Sequence, residues 1–128
     1  MTDVSFRLPP ATRSAPRARE ALRTAMGAWA DEQTRDDAQL LLTELVANGA
    51  LHARSSMEIH LTVDQDLLRA EVSDGSPLAP LAREADEFGG RGVLILNALA
   101  SRWGVLGHPG DGKTVWFELA DSAALARP

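Results

Sequence analysis

Three side chains in the stretch LLTELVANGALHA, residues 41–53, stand at a spacing that could do chemistry: Glu44, Asn48 and His52 follow one another at i, i+4 and i+8. On a helix that spacing stacks them in one row along a single flank. A carboxylate one turn from a carboxamide can divide labour, with the Asn48 oxygen a hard ligand for Mg²⁺ and Glu44 accepting a proton or orienting a nucleophile. The same residue types also occur at helix borders only to bond backbone or water, and the row alone leaves both readings open. Two further stretches invite phosphate. Gly89-Gly90-Arg91-Gly92 directly precedes an apolar helical segment, so its N–H groups and the positive helix end could meet an anion. GHPGDGKT, residues 107–114, fits the pattern G-x-x-x-x-G-K-[ST].

That last match lacks its context. A phosphate loop of this kind opens a helix at its Lys, whereas the residues after Lys113, TVWFEL, alternate and are rich in strand formers. Pro109-Gly110-Asp111-Gly112 is strong turn chemistry. The stretch therefore reads as a hairpin turn, with Lys113 a solvated strand start whose loss should hardly matter. Asp74, followed at once by Gly75, ends a strand, and its carboxylate could accept from an exocyclic amine such as that of adenine. An ordinary Asx turn is the plainer use of Asp-Gly.

The elements that must position these residues follow from periodicity. Residues 3–8 alternate and then meet Pro9-Pro10, an edge strand and a stop. Ala18, Leu22, Ala25, Met26 and Trp29 share one face of a first helix, residues 16–31, with Pro16 in its opening turn. A second helix, 35–53, is capped by Thr34 and carries the apolar stripe Ala38, Leu42, Leu45, Val46, Gly49 and Ala53. Residues 56–63 and 67–73 form a hairpin across Asp64-Gln65-Asp66. A long loop covers 74–92, a third helix begins at Val93, and strands at 103–107 and 113–119 close the chain. This order predicts an α+β fold: a two-layer sandwich of a mostly antiparallel, mixed sheet covered on one face by three helices. A single domain is expected over residues 1–120, with 121–128 a mobile tail.

Composition narrows the functions. The 128 residues carry 13 Lys plus Arg against 18 Asp plus Glu, a net charge of -5, which is the wrong sign for clamping a nucleic-acid backbone. The absence of Cys excludes disulfides and thiolate metal sites. No apolar run reaches membrane-spanning length and the N-terminus lacks an apolar signal core, so a soluble cytoplasmic domain is expected. His52, His60 and His108 include no pair at H-x-x-x-H spacing, which disfavours a metal-dependent hydrolase.

Four stretches, TELVANGALHA, VSDGSP, GGRGVLILNALASRWGV and GKTVWFEL, resemble in order and spacing the N box, two glycine boxes and closing strand of the ATP-binding domains of histidine kinases, gyrase B and MutL (the GHKL, or Bergerat, fold). The chain is similar in size to the single-domain anti-sigma factor serine/threonine kinases and their actinobacterial relatives. The resemblance implies ATP and Mg²⁺ as ligands. It implies Glu44 as general base, Asn48 as the Mg²⁺ holder, Asp74 with Gly75 at the adenine amine, and Thr114 as the companion of Asp74 beside the base. It implies Gly90, Arg91, Gly92 and Val93 as the amides that meet the phosphates. The implied partners are an anti-anti-sigma factor phosphorylated on Ser or Thr, a sigma factor held and silenced, and a second copy in a homodimer. The alternative function is a non-catalytic module that only sequesters its partner. The sequence departs from the family's D-x-G-x-G box, since Asp74-Gly75-Ser76-Pro77-Leu78 lacks the later glycines, and the stretch between the glycine boxes is short.

Overall fold

Strand alternation decides the architecture. In the computed structural model, which describes residues 1–53, 55–75, 92–108 and 112–121, five strands form one sheet: β1 Thr2–Leu8, β2 Met57–Val63, β3 Leu67–Asp74, β4 Arg102–His108 and β5 Gly112–Ala120. Their order is β1-β2-β3-β5-β4 and all four pairings are antiparallel, so the sheet is not mixed. Alternate residues of the strands, among them Ile59, Leu61, Leu68, Ala70, Val72, Val115 and Phe117, are buried. They form one core with the helices.

Helix α1 spans Ser14–Met26 and α2 spans Glu32–Asn48. The expected stripe of α1 is buried through Ala18, Leu22, Ala25 and Met26, and that of α2 through Ala38, Leu42, Leu45 and Val46. Leu41 joins the α2 stripe, because the helix packs on α1 as well as on the sheet. The cap of α2 is Asp31, whose carboxylate accepts from the Thr34 N–H at 2.9 Å, and so the helix begins three residues earlier than Thr34 suggested. At its other end α2 stops at Asn48 and the chain continues as one widened turn, Gly49–Ala53. A Cβ on Gly49 would stand 2.6 Å from Met57 Sδ, which explains the glycine: the buried Met57 lies directly over the backbone there. Helix α3, Gly92–Leu99, packs on α2 and is tied to β4 by a 2.9 Å hydrogen bond from Trp103 Nε1 to Asn97 Oδ1. It is shorter than expected, because Arg102 and Trp103 already belong to β4.

The other sheet face carries polar groups that pair across every strand. Asp3 on β1 meets His60 on β2 at 2.8 Å, His60 faces Glu71 on β3 at 3.5 Å, and Glu71 holds Arg69 at 2.9 Å. Arg69 reaches Glu118 on β5 at 3.0 Å, and Glu118 meets Arg102 on β4 at 3.5 Å. Trp116 lies beneath Arg69, 4.3 Å from guanidinium to ring centroid. The exposed Asp3–His60 pair contributes about 0–1 kcal/mol, the part-buried Arg69–Glu118 pair offsets much of its attraction by desolvation, and a fully buried Leu or Phe contributes about 1.5–3 kcal/mol. The helix-covered face therefore holds the layers together, and the charged ladder keeps the open face wet and in register.

His60 titrates within this ladder. Its pKa is raised from the ordinary 6.5, chiefly by the hydrogen bond to Asp3 against a smaller lowering by burial, with help from the charges of Asp3 and Glu71. A folded value above the unfolded one means that the bond's stabilisation is complete below about pH 6.5 and is lost as pH rises through the raised value. The wild type should therefore gain thermal stability over His60→Ala when pH falls from about 8 to about 6. Equal pH dependence in the two proteins would rule out this role.

Candidate functional site

The C-terminal end of α2 and the C-terminal end of β3 come together at one end of the sheet. The widened turn after Asn48 packs against β3, and the Gly75 N–H donates to Ser55 Oγ at 2.8 Å. Glu44 is half-buried on α2. Asn48, one turn on, is 9% exposed, and its Nδ2 has no hydrogen-bond partner among the described residues. A buried amide donor left unpaired costs roughly 1–3 kcal/mol, which makes it a place where a ligand's oxygens would complete the bonding. His52 lies in the widened turn.

Asp74 closes β3 with its side chain only 5% exposed. The β5 residue beside it is Lys113. The two are register partners, and Lys113 Nζ lies 3.3 Å from Oδ2 and 3.4 Å from Oδ1. Lys113 is itself only 12% exposed, so the expectation of a solvated strand start is corrected: directly opposed residues of an antiparallel pair share a face, and this face is the covered one. Gly112, at φ +99°, is pressed onto the same spot, since a Cβ there would fall 1.9 Å from the Asp74 carbonyl oxygen.

Thr114 also departs from the expected placement. Its register partner is Ser73, and successive strand residues point to opposite faces, so its side chain turns away from that of Asp74. Thr114 is 7% exposed, and its hydroxyl bonds Ser73 Oγ at 2.7 Å and His108 Nε2 at 2.9 Å. Gly92 and Val93 form the first turn of α3, where backbone N–H groups lack intrahelical partners. Gly90 and Arg91 lie outside the described residues. The GHPGDGKT stretch is split between strands, with Gly107 and His108 ending β4 and Gly112, Lys113 and Thr114 opening β5; no helix starts at Lys113, as the hairpin reading requires.

Among the described residues there is no group of three His, Asp or Glu that could hold a metal ion. A hard-cation site here would therefore draw on Asn48 and the ligand's own oxygens. The site residues that sequence reasoning missed are Lys113, Ser73 and His108. Only cross-strand register brings them to Asp74 and Thr114, and no local pattern announces it.

Thr114→Val keeps the branched shape and removes both hydroxyl bonds. It should lower the unfolding free energy by about 1–2 kcal/mol, read by urea denaturation with an unchanged slope. An unchanged midpoint would mean that the Ser73–Thr114–His108 chain contributes nothing to the fold.

A family model described as the histidine kinase-like ATPase domain matches residues 8–119. A comparison with curated proteins finds no significant match. Among solved structures, the crystal structure of the RsbU and RsbW domains of Rv1364c from Mycobacterium tuberculosis superposes with a TM-score of 0.72 at 18% identity. The alignment covers 92% of this chain and 32% of that one, so the present chain spans about a third of its length. At that identity the likeness establishes a shared fold.

Proposed function

The chain belongs to the histidine kinase-like ATPase domain family, and from that membership we propose that it binds ATP with Mg²⁺ and acts as an anti-sigma-type serine/threonine protein kinase on an anti-anti-sigma partner. The observation that carries the reading is the buried Asn48 amide, whose Nδ2 has no partner among the described residues, one helical turn beyond Glu44 and at the same end of the sheet as Asp74. The structural neighbour's RsbW domain supports the regulatory part of the proposal.

In this reading the Asp74 carboxylate, at the end of β3 beside Gly75, accepts from the base amine. Asn48 would hold magnesium, which supplies neutralisation of phosphate charge. Gly92 and Val93 present first-turn amides to the phosphate oxygens, and Gly90 and Arg91 belong to the same stretch of sequence. Glu44 accepts the proton of the substrate hydroxyl as its oxygen bonds the γ-phosphorus and the bond to the ADP oxygen breaks. General-base assistance of this kind contributes about 10²–10⁴-fold. Glu44→Ala should therefore keep ATP affinity near wild type and cut phosphoryl transfer to the partner by at least about a hundredfold. The measurement is transfer from γ-labelled ATP alongside an ATP titration with and without Mg²⁺. Equal transfer by wild type and Glu44→Ala would overturn the assigned role, and absence of ATP binding would overturn the kinase reading.

One observation favours a second reading, a non-catalytic module that sequesters a sigma factor or another protein. Arg13, Arg17 and Arg23 are exposed on and just before α1 and make no ion pair among the described residues, which leaves a basic strip open to an acidic partner surface. Under this reading, charge reversal at Arg17 and Arg23 abolishes partner capture while Glu44→Ala leaves it intact, with or without ATP. A second copy of the chain is among the partners that such a pull-down, run with differently tagged chains, would detect.

A further inference from the structure

We propose that Lys113 sets this chain's affinity for the nucleotide base by competing with it for Asp74. The inference rests on the nucleotide reading above and adds to it a residue that this reading does not use.

Lys113 is the only lysine in a chain that otherwise uses arginine for its basic side chains. Its ammonium faces the Asp74 carboxylate almost symmetrically, at 3.3 Å from one oxygen and 3.4 Å from the other. Both side chains are nearly withdrawn from water, at 12% and 5% exposure. The pairing is imposed by register, because Lys113 and Asp74 are direct partners in the β3–β5 ladder and share its covered face. The β3–β5 ladder holds the start of β5 beside Asp74, and Gly112 lets the two backbones come that close. The flexible part is the lysine stem, with four rotatable carbons that can carry the ammonium out to solvent.

A neutral base amine is a weaker partner for a buried carboxylate than an ammonium is, since hydrogen bonds between charged groups are the stronger class. A base that reaches both oxygens must therefore first displace Lys113. The displaced ammonium regains water, and the net cost falls on base affinity alone. A ligand that has phosphates but no base never meets the pair.

The single lysine makes the test direct. Wild-type protein is treated with an amine-acylating reagent, and modification of Lys113 is followed by peptide mass spectrometry, alone, with Mg·ATP and with Mg·tripolyphosphate. ATP should speed acylation of Lys113, and tripolyphosphate should leave it unchanged. In parallel, Lys113→Met should tighten ATP binding roughly tenfold, the equivalent of one charged hydrogen bond that no longer has to be broken, with tripolyphosphate affinity unaltered. Lys113→Arg, which keeps the charge and guards against a folding defect in the Met variant, should stay within about twofold of wild type. If ATP slows or does not change acylation, or if tripolyphosphate binds while Lys113→Met gains nothing for ATP, the competition is overturned and the phosphate site stands. If neither ligand binds wild type or either variant, the nucleotide reading falls and the competition falls with it.

Discussion

Burial of one face of an antiparallel sheet, with the other face left to water, constrains nearly everything else in this molecule. A strand offers its side chains to the two faces in strict alternation, so once α1 and α2 cover Ile59, Leu61, Leu68, Val72, Val115 and Phe117, the intervening positions are committed to solvent. Those positions answer with a ladder of opposite charges from Asp3 through His60, Glu71, Arg69 and Glu118 to Arg102. The ladder's individual pairs are weak, but like charges directly opposite one another would have been destabilising, so sign alternation across the strands is a condition of the register.

The same alternation sorts the end of the sheet where the candidate site residues lie. Ser73 and Thr114 fall on the open face and bond each other, while Asp74 and Lys113, one residue further along each strand, fall on the covered face and pair there. A nearly buried carboxylate and ammonium are costly to desolvate and costly to separate, since either left alone is an unpaired charge in a poor dielectric. Asn48 presents the complementary case, a buried polar atom with no partner among the described residues. A satisfied charge pair and an unsatisfied amide thus lie at the same end of the fold.

Much of this was legible in the sequence. Periods of 3.6 and 2 separated helices from strands because the core is one layer of helix on one layer of sheet, and each element therefore has a single buried face. Glu44 and Asn48 one turn apart are visible since helical neighbours are only three or four residues apart, but His52 does not continue their row, because α2 ends at Asn48 and the turn that follows is wider. The errors fall where a local signal competed with packing. Thr34 looked like a cap, yet Asp31 captures its N–H. The helix over 35–53 was cut at Asn48, where Met57 lies over Gly49 and the turn widens. Lys113 reads as solvated because a lysine at a strand start usually is, and Thr114 reads as the companion of Asp74 because the family resemblance pairs them, whereas the register sets Lys113 beside Asp74 and Thr114 beside Ser73.

By itself, then, the sequence determined the two-layer class, the residues that fill its core, the carboxylate and carboxamide one turn apart on α2, and the failure of GHPGDGKT as a phosphate loop, all of which rest on neighbours close in the chain. Tertiary structure alone decided which β5 side chain stands beside Asp74. That choice depends on the register between two strands whose facing residues, Asp74 and Lys113, are 39 positions apart in the chain, and a slip of one position exchanges every side chain between the covered and the open face.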